Sequence, residues 1–147
     1  MNNFDLKSYL KNNPLLTEGI DLPSTYTPER DKEYLKITLR RIQDYIKGGG
    51  KGSLNLKNTP ITSLPDNLKV GGTLTLENTP IASLPNNLEV KGILDISDTL
   101  ITSIPSSLKV DYHISLHNTP LSKKYTKEEI QKIIEEKGGY VKRGIYL

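Results

Sequence analysis

The chain has 147 residues, a net charge of +3 at pH 7 and a hydrophobic content of 35 %, which is low for a globular core. Cysteine is absent, so disulfide frameworks, thiolate metal sites and cysteine nucleophiles are excluded. Because no apolar run approaches the ~20 residues of a membrane helix and the first residues lack a secretory hydrophobic stretch, we expect a cytoplasmic protein with no cofactor and no membrane contact.

Residues 1–51 form a predicted N-terminal helical region. Within it, the apolar residues of segment 3–11 have the spacing of a short amphipathic helix. Residues 13–27, with two prolines and several Ser and Thr, predict an extended connector. A helix of under three turns is marginal alone, so segment 3–11 must pack either on this chain or on a partner.

A second helix is predicted to run from Pro28 to Ile46. Thr27 is its N-cap, and proline suits the first helical position because that position needs no amide donor. Its apolar stripe consists of Leu35, Leu39, Ile42 and Ile46. We expect this stripe to cover the exposed end of the repeats that follow, since terminal repeats need a cap.

The opposite face of this helix is basic, with candidate phosphate-binding residues at Lys36, Arg40 and Arg41. Acidic residues lie among them, which favours a solvated surface over a phosphate site. The glycine-rich run 47–52 lacks the strand-to-helix context and the Lys-Ser/Thr ending of a nucleotide-binding loop, so we interpret it as a flexible join.

Residues 52–121 repeat one 20-residue pattern three times and begin a fourth copy, without insertion or deletion. The copies are GSLNLKNTPITSLPDNLKVG from Gly52, GTLTLENTPIASLPNNLEVK from Gly72, GILDISDTLITSIPSSLKVD from Gly92 and YHISLHNTPL from Tyr112. Each copy begins with alternating apolar and polar residues, which predicts one short strand, and its Ser-Leu-Pro or Ser-Ile-Pro step cannot continue as a long helix. A fixed period of this length is typical of a solenoid, in which neighbouring copies bury a shared apolar ribbon.

This pattern resembles the leucine-rich repeat family in its short bacterial and viral form with a Leu-Pro return limb. The family core LxxLxLxxNxL maps onto residues 71–81, with Gly71 in place of the first leucine and Thr79 in place of the asparagine. The resemblance covers about half of the chain. It implies an α/β repeat fold: a short solenoid with a parallel sheet of about four strands, a helical N-terminal cap and a C-terminal cap of one helix and one strand.

Alternate side chains of each predicted strand point away from the apolar ribbon. In leucine-rich repeat proteins the corresponding concave face commonly binds the partner, and the resemblance implies the same use here. The candidate binding residues are Asn55, Lys57, Thr73, Thr75, Glu77, Ile93, Asp95, Ser97, His113, Ser115 and His117.

Both histidines of the chain, His113 and His117, belong to this face. Four residues along a strand span ~13 Å, which is too far for the two rings to share one ion, so we expect no metal site. Ser115 lies between them and Asp95 lies on the neighbouring predicted strand, which permits a hydrolase interpretation. We nevertheless expect no catalytic residues, since an open sheet face excludes no water and offers no evident oxyanion hole.

Residues 122–147 form a predicted C-terminal cap. A capping box that starts at Thr126 begins a helix, and residues 140–147 have the composition of a strand that can pair with the last repeat strand and close the sheet edge. Lys142 and Arg143, with a tyrosine on either side, alternatively offer a basic, aromatic contact surface.

No motif in the chain encodes a chemistry, so the first functional hypothesis is a small non-enzymatic interaction module that binds a protein partner. Its Asn- and Lys-rich style and compact repeats resemble those of phage-encoded or low-GC bacterial accessory proteins. On that resemblance we expect a viral protein that engages a host or virion protein, with inhibition of a defence system in the host-cell cytoplasm as one such role. Two alternatives remain: nucleic-acid or nucleotide binding through the basic ends, and a structural role in a virion. The sequence leaves the oligomeric state open.

Overall fold

A computed structural model describes residues 28–147. The predicted helix in segment 3–11, the connector 13–27 and the N-cap at Thr27 lie outside the described residues. The first described helix, α1, spans Pro28–Lys47 and so agrees with the predicted second helix to within a residue.

The strands that follow alternate between two parallel sheets. The five-stranded sheet contains, in order, β1 (Leu54–Asn55), β3 (Leu74–Thr75), β5 (Leu94–Asp95), β7 (His113–Ser115) and β9 (Gly144–Tyr146). The four-stranded sheet contains, in order, β2 (Lys69–Val70), β4 (Glu89–Val90), β6 (Lys109–Val110) and β8 (Tyr140–Val141). Two helices, α2 (Pro120–Lys124) and α3 (Lys127–Glu136), lie between β7 and β8 in the chain.

Strands of successive copies lie side by side at the repeat period. Leu74 pairs in parallel with Leu54 on one side and with Leu94 on the other. The predicted parallel strands are confirmed, but the expectation of one sheet of about four strands is wrong. A second sheet forms because each copy is extended again at its Lys-Val or Glu-Val step, where backbone groups of neighbouring copies also pair in register.

The apolar side chains of both sheets share one core. Leu74, Leu94 and Ile114 of the five-stranded sheet are fully buried, and Val90 and Val110 of the four-stranded sheet join the same cluster. The predicted inward alternation is therefore confirmed, and the low hydrophobic content of the chain suffices because only a narrow band of side chains is enclosed.

Each copy leaves the five-stranded sheet through a residue with left-handed backbone geometry. These residues are Asn58, Asn78, Asp98 and Asn118, with φ of 58°, 55°, 54° and 54°. The threonine that follows is buried, and its hydroxyl donates a hydrogen bond of 2.6–3.0 Å to the carbonyl three residues earlier. Asn and Asp tolerate this backbone region better than other residues with a side chain, which explains why one of them precedes every such threonine.

The side chains of these turn residues form a ladder that Asp98 interrupts. Asn78 Nδ2 donates to Asn58 Oδ1 at 2.8 Å, and Asn118 Nδ2 donates to Asp98 Oδ1 at 2.8 Å. A carboxylate has no proton to donate to Asn78. Asp98→Asn supplies an amide that can donate to Asn78 and keeps an oxygen for Asn118, so we expect the free energy of unfolding to rise by about 0.5–1 kcal/mol.

Urea denaturation of the variant and the parent chain measures this gain. Asp66→Asn is the matched control, because it removes the same charge and retains the oxygen that accepts from Asn86 N–H at 2.9 Å, but has no preceding ladder member to join. A gain of equal size in both variants would assign the effect to net charge and contradict the ladder.

Helix α1 packs on the first copy through a different stripe from the predicted one. Leu35 and Ile42 are buried as expected, and Thr38 is buried with them, whereas Leu39 and Ile46 are 37 % and 44 % exposed. The predicted stripe is therefore correct for Leu35 and Ile42 and wrong for Leu39 and Ile46. Ile42 belongs to the core cluster of the repeats, and Tyr45 packs against that cluster.

The glycine-rich run after α1 is a structural element and not only a join. Tyr45 Oη lies 2.7 Å from the carbonyl oxygens of both Gly50 and Gly52, and its single proton is shared between these two acceptors. Gly71 N–H donates to Gly50 O at 2.8 Å, as Lys91 N–H donates to Val70 O at 2.9 Å one copy later. The glycine-rich run therefore provides the first copy with the backbone acceptor that each later copy receives from the copy before it.

The C-terminal segment extends both sheets by one further turn. The predicted capping box at Thr126 is present, with the Glu129 carboxylate accepting from Thr126 N–H at 2.8 Å. Residues 140–147 were expected to form one strand that closes the sheet edge, but the chain divides into β8, which pairs with β6, and β9, which pairs with β7. The pairing is confirmed, whereas the edge is not closed, because β8 and β9 are themselves the last strands of their sheets.

Candidate functional site

The outward side of the five-stranded sheet, which we call the five-stranded face, brings together the predicted binding residues. Asn55, Thr75, Asp95 and Ser115 form one row, since each pairs in register with the next. Inward positions of the same strands repeat Leu, Leu, Leu and Ile, whereas this row carries an amide, a hydroxyl, a carboxylate and a hydroxyl. The side chains of the row are half-buried or exposed, so they remain available to a ligand.

Two contacts organise the row nearest the turns. Lys57 Nζ lies 2.8 Å from Glu77 Oε2, and this hydrogen bond with its charge raises the pKa of Lys57 above its usual value. Ser97 Oγ lies 2.9 Å from Ser115 Oγ, and Ser97 is only 7 % exposed. Ser97 is therefore part of the sheet's internal bonding and is a poorer contact residue than the sequence predicts.

The hydrolase interpretation finds no supporting geometry in the described residues. Ser115 Oγ is hydrogen-bonded to Ser97, and no hydrogen bond joins it to His113 or His117. Asp95 Oδ1 accepts from Ser97 N–H at 3.1 Å and does not orient a histidine. A serine nucleophile needs a base within hydrogen-bond reach and a group that orients that base, and neither relation is present here.

One end of the five-stranded face carries a group of aromatic rings and cations, which we call the aromatic cluster. The His113 ring lies edge-on to Tyr146, with ring centroids 4.8 Å apart, and tilted against Tyr112 at 5.1 Å. The Arg143 guanidinium lies 5.9 Å from the Tyr112 ring, and Lys127 Nζ lies 5.8 Å from the Tyr146 ring. Both tyrosines are about half exposed. Tyr112 and Tyr146 were not among the predicted face residues, because only the pairing of β7 with β9 places them together.

The basic candidates lie at opposite ends of the stack of strands and have different partners. Lys36 and Arg40 on α1 are exposed, whereas an Arg41 guanidinium N–H donates to Asn55 O at 2.9 Å and so fastens the helix to β1. At the other end, Lys142 forms an ion pair while Arg143 belongs to the aromatic cluster. Across five strands the two ends are ~19 Å apart, so these residues do not form one basic patch.

The outward side of the four-stranded sheet carries rows of alternating basic and acidic side chains, which we call the charge ladder and which the sequence had not led us to expect. Glu89 lies between Lys69 and Lys109, at 3.8 and 3.6 Å. Asp111 lies between Lys91 and Lys142, at 3.3 and 2.8 Å. The alternation of charge at a 20-residue spacing was visible in the sequence, but it predicts ion pairs only once the second sheet is known.

Asp111 is the centre of this ladder. Hydrogen bonds from Lys142 and from Tyr140 Oη, the latter at 2.9 Å, lower the pKa of its carboxyl to about 2. The same contacts raise the pKa of Lys142 and of Tyr140 above their usual values. The C-terminal segment is thus fastened to the preceding copy by side chains as well as by backbone.

A groove of about 450 Å³ follows the return limbs on another side of the molecule. Ser63, Ser83 and Ser103 line it with the limb prolines, and Lys137 Nζ donates to Ile104 O at 2.8 Å at its end. Its lining combines serines and Asn86 with apolar residues, one carboxylate (Asp66) and one cation that is already engaged, so it offers no evident chemistry.

Comparisons of the chain with protein-family profiles, with curated proteins and with solved structures find no match. Among the described residues, the helices are too short or too polar to cross a lipid bilayer. The functional conclusion therefore rests on the geometry of the chain itself.

Proposed function

We propose that this protein is a short leucine-rich-repeat solenoid that acts as an interaction module and binds a protein partner through the five-stranded face. The observation that carries the proposal is the contrast between the two sides of one sheet. The inward side chains repeat because each must pack against the same residue type in the neighbouring copies. The outward side chains differ from copy to copy, since core packing does not constrain them, and they can therefore suit a particular ligand.

The aromatic cluster supports this proposal. Tyrosine and arginine are enriched among the residues that dominate binding energy at protein interfaces. Tyr112 and Tyr146 are held by ring contacts while half of their surface remains exposed. Side chains ordered before binding lose less conformational entropy when a partner arrives.

The size of the face bears on how the partner binds. Five strands ~4.8 Å apart and outward positions spread over ~13 Å give a flat area of roughly 250 Å². A stable interface buries about 800 Å² on each partner, so the five-stranded face is too small alone. The partner must therefore also cover a neighbouring surface, such as the exposed side of α1.

A role against a host defence system, in the cytoplasm of a host cell, is a narrower form of the same proposal and requires a partner of host origin. Nucleic-acid binding through the basic ends is less well supported, because the two ends are far apart and Arg41 and Lys142 already have partners. A virion role requires the same face to bind another structural protein.

The test is to recover the tagged protein from cells in which it is produced and to compare two charge-matched variants. Thr75→Arg places a guanidinium at the centre of the five-stranded face, and Thr102→Arg places the same group on an exposed return limb. We expect a stoichiometric partner to be lost with the first variant and retained with the second. Recovery of no protein partner, or equal recovery with both variants, would overturn the proposal.

A further inference from the structure

Residues 139–147 form the last turn of the described chain and pair, in extended conformation, with β6 and β7. We call it the C-terminal edge. It enters from helix α3 and not from a return limb, and it lies 31 residues after its pairing partners instead of the repeat's 20. Its backbone bonds join Tyr140 N–H to Leu108 O (2.9 Å), Lys142 N–H to Val110 O (3.1 Å), Arg143 N–H to Tyr112 O (3.0 Å) and Leu116 N–H to Tyr146 O (2.7 Å). The end of the two sheets thus accepts an extended segment whose sequence is not a repeat.

The C-terminal edge presents the same backbone groups again on its outer side. By register, Gly139 O and Arg143 O correspond to the carbonyls of the preceding turn that accept hydrogen bonds, and Leu147 N–H corresponds to the donor. Within the described chain these three groups have no hydrogen-bond partner. An exposed row of this kind is a template for a further strand.

Charge indicates what that strand contains. Along the outward side of the four-stranded sheet, Lys91, Asp111 and Lys142 alternate in sign, with ion pairs of 3.3 and 2.8 Å. The C-terminal edge carries Lys142 and Arg143 and no acidic residue. Continuation of the alternation requires a carboxylate beside these two cations.

Two other occupants fit less well. A second copy of the chain that paired through the same edge would place Lys142 and Arg143 against themselves, and like charges at close range repel. A nucleic acid would be attracted by the cations, but it has no backbone that pairs with Gly139 O and Leu147 N–H in the manner of a strand. Val141 and Ile145 are buried, so little apolar surface remains to drive non-specific association.

We propose that the C-terminal edge binds an extended acidic segment of a partner protein, which adds to both sheets as their next turn. The segment has carboxylates beside Lys142 and Arg143. Main-chain hydrogen bonds to the edge supply affinity, and the carboxylates supply selectivity. The proposal rests on the proposed function in that the occupant is a protein, but it concerns the outer backbone edge of β8 and β9 and not the outward side chains of β1, β3 and β5.

The probe is a synthetic nine-residue peptide, GYVEEGIYL, which copies residues 139–147 with Glu at the two basic positions. Titration into the ¹⁵N-labelled protein is expected to shift the amide signals of Ile145 and Leu147. The peptide with the unchanged sequence, GYVKRGIYL, is expected to bind at least about 10-fold more weakly, because its cations face Lys142 and Arg143.

Two variants of Leu147 isolate the backbone contribution. Leu147→Pro removes the outward N–H and is expected to weaken GYVEEGIYL binding about 5-fold, whereas Leu147→Ala keeps the N–H and is expected to change it less than about 2-fold. Since Leu147 N–H has no partner within the described chain, neither variant breaks an internal hydrogen bond.

Three results would overturn the proposal. The first is equal affinity for the two peptides, and the second is amide shifts confined to β1, β3 and β5. The third is displacement of the peptide by an oligothymidylate whose binding is unaffected by Leu147→Pro. The last result would assign the C-terminal edge to nucleic acid. Peptide binding is expected to persist in the Thr75→Arg variant, so failure at the edge and failure of the proposed function are distinguishable.

Discussion

Replacement of Leu94 by alanine is expected to destabilise the protein by about 3–4 kcal/mol. Leu94 is fully buried and lies in register between Leu74 and Ile114, so both sides of its side chain contact other apolar residues. The removed atoms leave a cavity that strands on either side cannot close without breaking their pairing. Because a domain of this size is stable by only about 5–15 kcal/mol, the loss is a large share of the total.

Equilibrium denaturation in urea measures this effect as a shift of the midpoint at constant slope. Leu100→Ala is the matched control: it is the same substitution at a residue that is 38 % exposed, and it keeps the N–H that donates to Ile81 O at 3.0 Å. We expect the control to cost less than about 1 kcal/mol. Equal losses at the two positions would show that the apolar band between the sheets is not the main source of stability.

Gly139→Ala is expected to detach the C-terminal turn. A Cβ at this position would lie 3.0 Å from the backbone C and N of Leu108 and closer still to its carbonyl oxygen. That oxygen accepts from Tyr140 N–H at 2.9 Å, so the clash and the pairing of β8 with β6 cannot both be accommodated. We expect a loss of about 3 kcal/mol, with faster amide exchange throughout β8 and β9.

Hydrogen exchange followed by mass spectrometry separates local detachment from global unfolding. Gly48→Ala serves as the control, since its Cβ would meet Asp44 O at an ordinary contact distance of 3.4 Å and the expected change is within about 0.5 kcal/mol. Unchanged protection of Ile145 in Gly139→Ala would mean that the C-terminal turn tolerates the shift, contrary to the contacts at Leu108.

The aromatic cluster could not be predicted from the sequence. The sequence predicts His113 on the binding face and Arg143 as a separate basic candidate. Their proximity follows from the parallel pairing of His113 with Gly144, which joins residues 31 positions apart. No local period marks that offset, so the sequence alone could not place Tyr112 and Tyr146 beside the histidine.

The sequence alone determined the repeat register, the inward residues and the residues that point outward from the repeat strands. A 20-residue period with alternating leucines leaves one favourable strand register, because a slip of one residue would expose the side chains of Leu74 and its equivalents to solvent. The tertiary structure alone decided the rotation of α1, the second sheet, the pairing of Ser97 with Ser115, and the division of the last segment between two sheets. These features depend on contacts between residues that are not separated by the 20-residue period. Such contacts are decided only when the core has formed and brings particular backbone and side-chain groups together.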